Sequence, residues 1–325
     1  MRYRTLLIIL LLLVSSAAAV ARPGERTREP RRQEVERTAA VTPDVVLSVC
    51  LGSGSLSVRA WDRNQVRVRW SDGPQIELRR PAAVGNSEPA KELTLSTDEA
   101  GSKRRSSCLP FGEIELEVPR GANLQLQTRD ADVSVSGVFR VNVVTQGGTV
   151  SVQRVTRFVD VTSIGGNISV QNSKASIKLH SVGGSIDAQS LAPSAAGDIC
   201  EAGTVGGDIS LAQISHGQVI VSTVSGDVSF SSPLTHGGRY NFQAIQGDVS
   251  LSLPADSSFR LNANLGSGSD VVSDFSLRYS SSVVEQSDPP RKSGSGFRHI
   301  DAVYGTGDAL INLSSFGGSV RLQQK

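Results

Sequence analysis

Short runs of alternating apolar and polar residues fill most of this chain, and the runs recur. In "SIGGNISVQNSKASIKLHSVGGSIDAQ", residues 163–189, the order glycine, glycine, small polar, isoleucine occurs twice. Aligned on the second glycine, Gly148, Gly166, Gly184, Gly207, Gly226 and Gly247 share one slot, at steps of 18, 18, 23, 19 and 21 residues. Ala131 fills the slot one copy earlier, and outlying copies sit at Gly54, Gly307 and Gly318. Seven residues before the slot stand Val141, Val159, Ile177, Cys200, Val219 and Tyr240, and five before it Val143, Val161, Leu179, Ala202, Val221 and Phe242. Two after it come Val150, Ile168, Ile186, Ile209, Val228 and Val249, and four after it Val152, Val170, Ala188, Leu211, Phe230 and Leu251.

Within a copy the period is two, that of a strand with one buried face. Between copies each slot keeps its character, so equivalent side chains stack into ladders. Both facts predict an all-β fold, a β-solenoid of about 8–10 short coils. The glycines mark the corner between two strands of a coil. Glycine reaches positive φ without a Cβ clash, and Asn or Asp tolerates it next best, which fits "GGN", "GGD" and "SGD". Gly148, Gly166, Gly184, Gly207, Gly226, Gly247 and Gly318 are therefore the expected structural turn residues.

"GSGSLSVRAWDRNQVRVRW", "VPRGANLQLQTRDADVSVSG", "GDVSLSLP" and the closing "GDALINLSSFGGSVRLQQK" resemble the repeats of the bacterial toastrack family, a β-strand-repeat domain of unknown function with an adhesin label. The resemblance spans roughly residues 41–325. It implies a single-stranded right-handed β-helix in an envelope or secreted protein, and it carries over no catalytic residue.

The first residues have another character. Arg2 and Arg4 precede an apolar run from Leu6 to Val14 and then "SSAAAVA", the order of a secretory signal peptide. Cleavage is expected after Ala21, with Ala19 as the alternative. Residues 22–40, charged and proline-containing, are expected to be a disordered linker. Residues 41–325 then form the solenoid, with irregular insertions near 71–112 and 273–299. No second apolar stretch exists, so the mature chain has no transmembrane segment and is expected in the periplasm, at the cell surface or outside the cell.

Composition narrows the function classes. The 33 basic and 31 acidic side chains nearly cancel, leaving no electrostatic footprint for nucleic acid. Asp132, Asp208, Asp227, Asp248 and Asp308 follow the glycines and suggest a Ca²⁺ ladder, but the second half of the G-G-x-G-x-D repeat is missing and small polar turn residues account for the column. No metal ligand, cofactor or catalytic residue is assigned. Asp160, Lys178, Asp187 and Glu201 read as scattered over different coils and columns, and His180, His216, His236 and His299 form no ligand motif, although His216 and His236 lie about a coil apart. Cys200 falls in an inward slot, a buried free thiol. Cys50 in an outward slot and Cys108 in the first insertion are the disulfide candidates.

Two hydroxyl columns remain, Ser57, Ser134, Ser151, Ser169, Ser210, Ser229 and Ser250 after the corner, and Thr128, Thr145, Ser163, Ser181, Thr204 and Thr223 before it. They read as surface rows, first of all a solvated solenoid face on which bulky side chains would crowd, and as rows that a glycan or another ordered surface could contact. The leading function is a non-catalytic envelope solenoid for adhesion or scaffolding. The alternatives are a carbohydrate-active β-helix enzyme and a scaffold that self-associates through its open ends.

Overall fold

Parallel pairing carries the predicted columns into register. The computed structural model describes residues 35–71, 74–80, 89–97, 108–267, 269–279 and 298–325; the expected signal peptide, most of the linker and the centres of both insertions lie outside them. Each coil has two walls. The first walls of the central coils are Arg140–Gly147, Phe158–Ser163, Ser176–Ser181, Cys200–Thr204, Gln218–Ser225 and Arg239–Gln246. The second walls are Val150–Gln153, Ile168–Lys174, Ile186–Ala192, Ile209–Ile214, Val228–Ser231 and Val249–Leu253. Val141, Val159, Ile177, Cys200, Val219 and Tyr240 pair in sequence up one wall, and Val150, Ile168, Ile186, Ile209, Val228 and Val249 up the other. All of them are buried, each contributing about 1.5–3 kcal/mol of apolar transfer. The fold is a β-solenoid, with eleven coils among the described residues. The additional coils come from regions that the repeat hardly marks, Ala90–Thr97 with Leu109–Pro119 and Phe259–Leu265 with Val271–Ser273.

The glycine corner has a different physical basis from the one expected. Only Gly148 (φ 81°), Gly226 and Gly247 of the column have positive φ; Gly166, Gly184, Gly207 and Gly318 do not. Close approach explains them. A Cβ on Gly166 would run into the carbonyl oxygen of Gly148, and the same relation links Gly184 to Gly166, Gly207 to Gly184, Gly226 to Gly207, Gly247 to Gly226 and Gly318 to Gly247. Each corner carbonyl fills the space that a side chain would need in the next coil.

Hydroxyls finish the corner from inside. Thr128, Thr145, Ser163, Ser181, Thr204 and Thr223 are buried rather than displayed, which corrects the surface reading of that column. The Gly166 and Gly184 N–H groups donate to Ser163 and Ser181 Oγ at 2.8 and 2.9 Å, and Thr204 Oγ1 donates to the Gly184 carbonyl at 3.1 Å. Backbone groups at a tight buried bend need such partners.

Both ends abandon chain order in the same way. Val35–Trp61 is followed after three residues by Gln65–Trp70, yet Leu109–Pro119 lies between Gln65–Trp70 and the later half of the first strand, parallel to residues 51–61 and antiparallel to Gln65–Trp70. At the other end Arg298–Tyr304 and Ala309–Ser315 are separated by four residues, and Phe259–Leu265 lies between them, antiparallel to one and parallel to the other. Each end is thus a split hairpin. As a result the coil of Ala309–Ser315 and Val320–Gln324 sits between the coil ending at Leu253 and the one beginning at Phe259. Residues 35–40, expected as linker, pair antiparallel with residues 65–70. The outermost strands are short or charged, as in Ile76–Arg79 and Arg278–Tyr279, a composition that discourages edge-to-edge pairing.

Cys50 and Cys108 form a disulfide with Cα atoms 4.4 Å apart, tying the second coil to the outermost one. Cys200 is a buried free thiol, and desolvation pushes its pKa up to about 12. His216 is also fully buried. The 23-residue step between Gly184 and Gly207 sends residues 193–199 outward as a loop, and His216 fills the gap. Its Nε2–H donates to the Ala175 carbonyl at 2.8 Å, one coil beyond its neighbour, while Nδ1 has no hydrogen-bond partner. Burial holds the His216 pKa below the ordinary imidazole value, against a weaker opposing pull from Ala175 and Asp198.

Three measurements check this account. Gly184→Ala should lower stability by about 1–3 kcal/mol, read as a lower Tm, whereas Gly217→Ala, with open space around its Cα, should be close to neutral. Thiol titration should find no reactive group in the native protein, one after denaturation and three after denaturation with reductant. Losing the 58-residue cross-link should cost up to about 4 kcal/mol. The unfolded chain takes up a proton at His216 that the folded coil resists, so this residue's contribution falls as pH drops below about 6.5. Chemical denaturation from pH 7 to 5 should show the stability gap between wild type and His216→Gln narrowing on acidification.

Candidate functional site

At the corner the alternation slips. Positions seven, five and three before the glycine face inward, the glycine and the positions two and four after it also face inward, and two consecutive residues between these sets must face out. The second of the pair is usually glycine. The first is Ile164, Val182, Val205, Val224, Ile245 and Phe316 on six coils stacked in register. Backbone bonds fix the stack: Gly183 N–H donates to Ile164 O at 2.7 Å, Gly206 to Val182 O at 2.8 Å and Ser225 to Val205 O at 2.8 Å. These six side chains are 40–55% exposed. A contiguous apolar ridge therefore runs along one edge of the solenoid, where isolated exposed apolar residues would need no explanation but a continuous row does.

Polar rails bound the ridge on both sides. One is the column just after the glycine: Asn167, Ser185, Asp208, Asp227, Asp248 and Ser319. Its side chains hand hydrogen bonds from coil to coil. Asn167 Oδ1 accepts from Ser185 N–H at 3.0 Å, Asp208 Oδ1 from Asp227 N–H at 2.8 Å, Asp227 Oδ1 from Asp248 N–H at 2.8 Å and Asp248 Oδ1 from Ser319 N–H at 2.8 Å. The Ser319 amide and, secondarily, Arg321 hold the Asp248 carboxyl below the ordinary carboxylate range. This wiring gives the acidic column a turn-forming role. Among the described residues no group of three His, Cys, Asp or Glu is arranged for a metal ion. The other rail, two residues before the ridge, holds Thr162, His180, Gly203, Ser222, Gln243 and Ser314.

The remaining candidates separate. Asp160, Lys178 and Glu201, read as scattered, stand in one column on three adjacent coils, while Asp187 lies on the opposite wall. The three residues are half-buried on the first wall, with His180 Nε2 3.7 Å from Glu201. His216 and His236 do not stack: the first is internal, and the second is exposed and paired with Asp308. His299 bridges Asn264 (2.8 Å) and Asp301 (3.0 Å). The hydroxyl column after the corner stays on the outer wall, with Ser134, Ser210 and Ser229 exposed. Two open depressions flank the walls, of about 400 Å³ over Ser48, Thr94, Gln125 and Asn142, and about 440 Å³ over Ala196, Gln218, Thr235 and Arg239. Neither brings two acids together. No helix of the described residues is long and apolar enough to cross a membrane.

The ridge is the feature that the sequence reading missed, although its signal was present. Every member lies two residues before a corner glycine that had already been aligned.

No curated protein matches the chain. A crystal structure described as a "putative cell adhesion protein" from Clostridium sporogenes aligns with 90% of this chain and all of its own, at 11% identity and a TM-score of 0.25. The family model described as Toastrack DUF4097 matches residues 53–312. With that match covering well over half of its length, the chain belongs to the Toastrack DUF4097 family.

Proposed function

We infer that the protein is an exported, adhesin-like component of the cell envelope that binds an extended surface without catalysing a reaction. The observation that carries this reading is the apolar ridge between polar rails, repeated on six successive coils. A surface of this kind makes many small equivalent contacts along one direction, where an enzyme or small-molecule receptor concentrates them in a concave, water-excluding pocket. Export is supported by the basic–apolar–small order of residues 1–21 and by the Cys50–Cys108 disulfide, which is at home in an oxidising compartment. The antiparallel strands at both ends favour a discrete particle over an open filament.

Among the described residues the Asp160–Lys178–Glu201 column sets two acids and a lysine on one wall, and it serves as the internal control against glycoside chemistry. Purified protein should cosediment with isolated cell envelopes and release no reducing ends from them. Asp160→Asn with Glu201→Gln should leave the sedimented fraction unchanged. Reducing ends released by the wild type and lost in this double variant would replace the adhesin reading with an enzymatic one. Failure to sediment with any envelope fraction would remove it.

A further inference from the structure

We propose that the ridge of Ile164, Val182, Val205, Val224, Ile245 and Phe316 is the seat of an extended, uncharged polysaccharide that lies along the solenoid axis, one sugar unit per coil. This deepens the surface-binding reading and rests on it. Three observations select this occupant.

The first is period. Coils repeat at about 4.8 Å, close to the rise of one pyranose in an extended glycan, so a linear chain can meet the same contact on each of six coils without bending. The second is cross-section. The ridge is one side chain wide, and its six half-exposed residues offer roughly 500 Å², short of the roughly 800 Å² per partner that a stable protein interface buries. It is long and narrow enough for a single linear chain. A pyranose presents apolar C–H bonds on its faces and hydroxyls around its edge. The ridge matches the faces with apolar side chains, and the rails match the edges with Thr162, Ser222 and Gln243 on one side and Asn167, Ser185 and Asp208 on the other.

The third is charge. Asp208, Asp227 and Asp248 follow one another on three successive coils of the rail just after the glycines. Only Asp248 has a cationic partner there, Arg321 at 2.8 Å. Like-charge repulsion along this rail opposes a uronate or phosphate-bearing polymer and an anionic lipid surface, while a neutral sugar hydroxyl can donate to these carboxylates.

The test compares the wild-type protein with Val182→Thr/Val205→Thr/Val224→Thr, which keeps β-branched shapes suited to strands while replacing apolar methyls by hydroxyls on three adjacent coils. Val35→Thr, exposed on the strand paired with Gln65–Trp70 at the end remote from the ridge, is the control, and Val205→Lys is a second ridge variant should the triple change lower Tm. Probes are insoluble cellulose, chitin and xylan in sedimentation, their hexasaccharides in calorimetry, and polygalacturonate as the anionic counterpart. The expected result is binding to at least one neutral polymer, weakened at least tenfold by either ridge variant and unchanged by Val35→Thr, with polygalacturonate bound more weakly.

Neutral glycan binding that survives both ridge variants overturns the proposal, as does preference for polygalacturonate. So does a dimer, seen by analytical ultracentrifugation, that the ridge variants dissolve. If no neutral glycan binds while envelopes still sediment the protein, the glycan assignment fails and the surface-binding reading stands. If envelopes fail as well, both fall together.

Discussion

Parallel strands stacked at about 4.8 Å bring successive corner backbones so close that a carbonyl of one coil enters the space of the next residue's side chain. From Gly148 to Gly318 that residue has no side chain, and the carbonyl of each glycine occupies the Cβ position of the one above. Much else depends on this contact. It holds the coil spacing constant, so the inward columns of Val, Ile and Leu meet like with like. It also forces the two-residue slip in alternation that turns Ile164 and its equivalents outward. The exposed ridge is thus a by-product of the geometry in position, though its uniformly apolar chemistry is not required by it: Gln146 occupies the same slot one coil earlier.

Polar groups are sorted by the same corner. Hydroxyls before the glycine turn inward and serve the bend, while carboxylates and amides after it turn outward and pass hydrogen bonds up the stack. The two columns differ by four residues in sequence and end on opposite sides of the wall. A buried hydroxyl that lost its partner would cost about 1–3 kcal/mol, which accounts for Ser and Thr recurring where a larger polar side chain would have no room.

Fold and columns were legible because each is a statement about local period. Val159, Ile177 and Cys200 could be assigned to one buried ladder from spacing alone. Thr145 and Ser163 could not be assigned to the interior, because a hydroxyl beside a turn looks the same in sequence whether the chain slips there or not. The same slip hid Val182 and Val205, which resemble ordinary strand residues until their wall is known. Asp160, Lys178 and Glu201 were recoverable from the aligned slots, each six residues before its glycine, and went unnoticed because they differ in kind. The order of coils at the ends was not recoverable at all. Which strand lies between residues 51–61 and Gln65–Trp70 is decided by tertiary pairing over tens of residues, and no local pattern records it.

The split hairpin at the second end has a temporal consequence. Residues 259–273 precede 309–324 in the chain, yet they rest on them in space. A chain that emerges amino-terminus first can therefore zip coil upon coil from residue 123 as far as Leu253, and must then leave a berth one coil wide until residue 324 has cleared. Over that interval the ladders ending at Phe242 and Leu251 have no lid. The topology thus holds pairings of two kinds, those between coils near in sequence and those of the terminal coil, in which a late segment lies between two earlier ones.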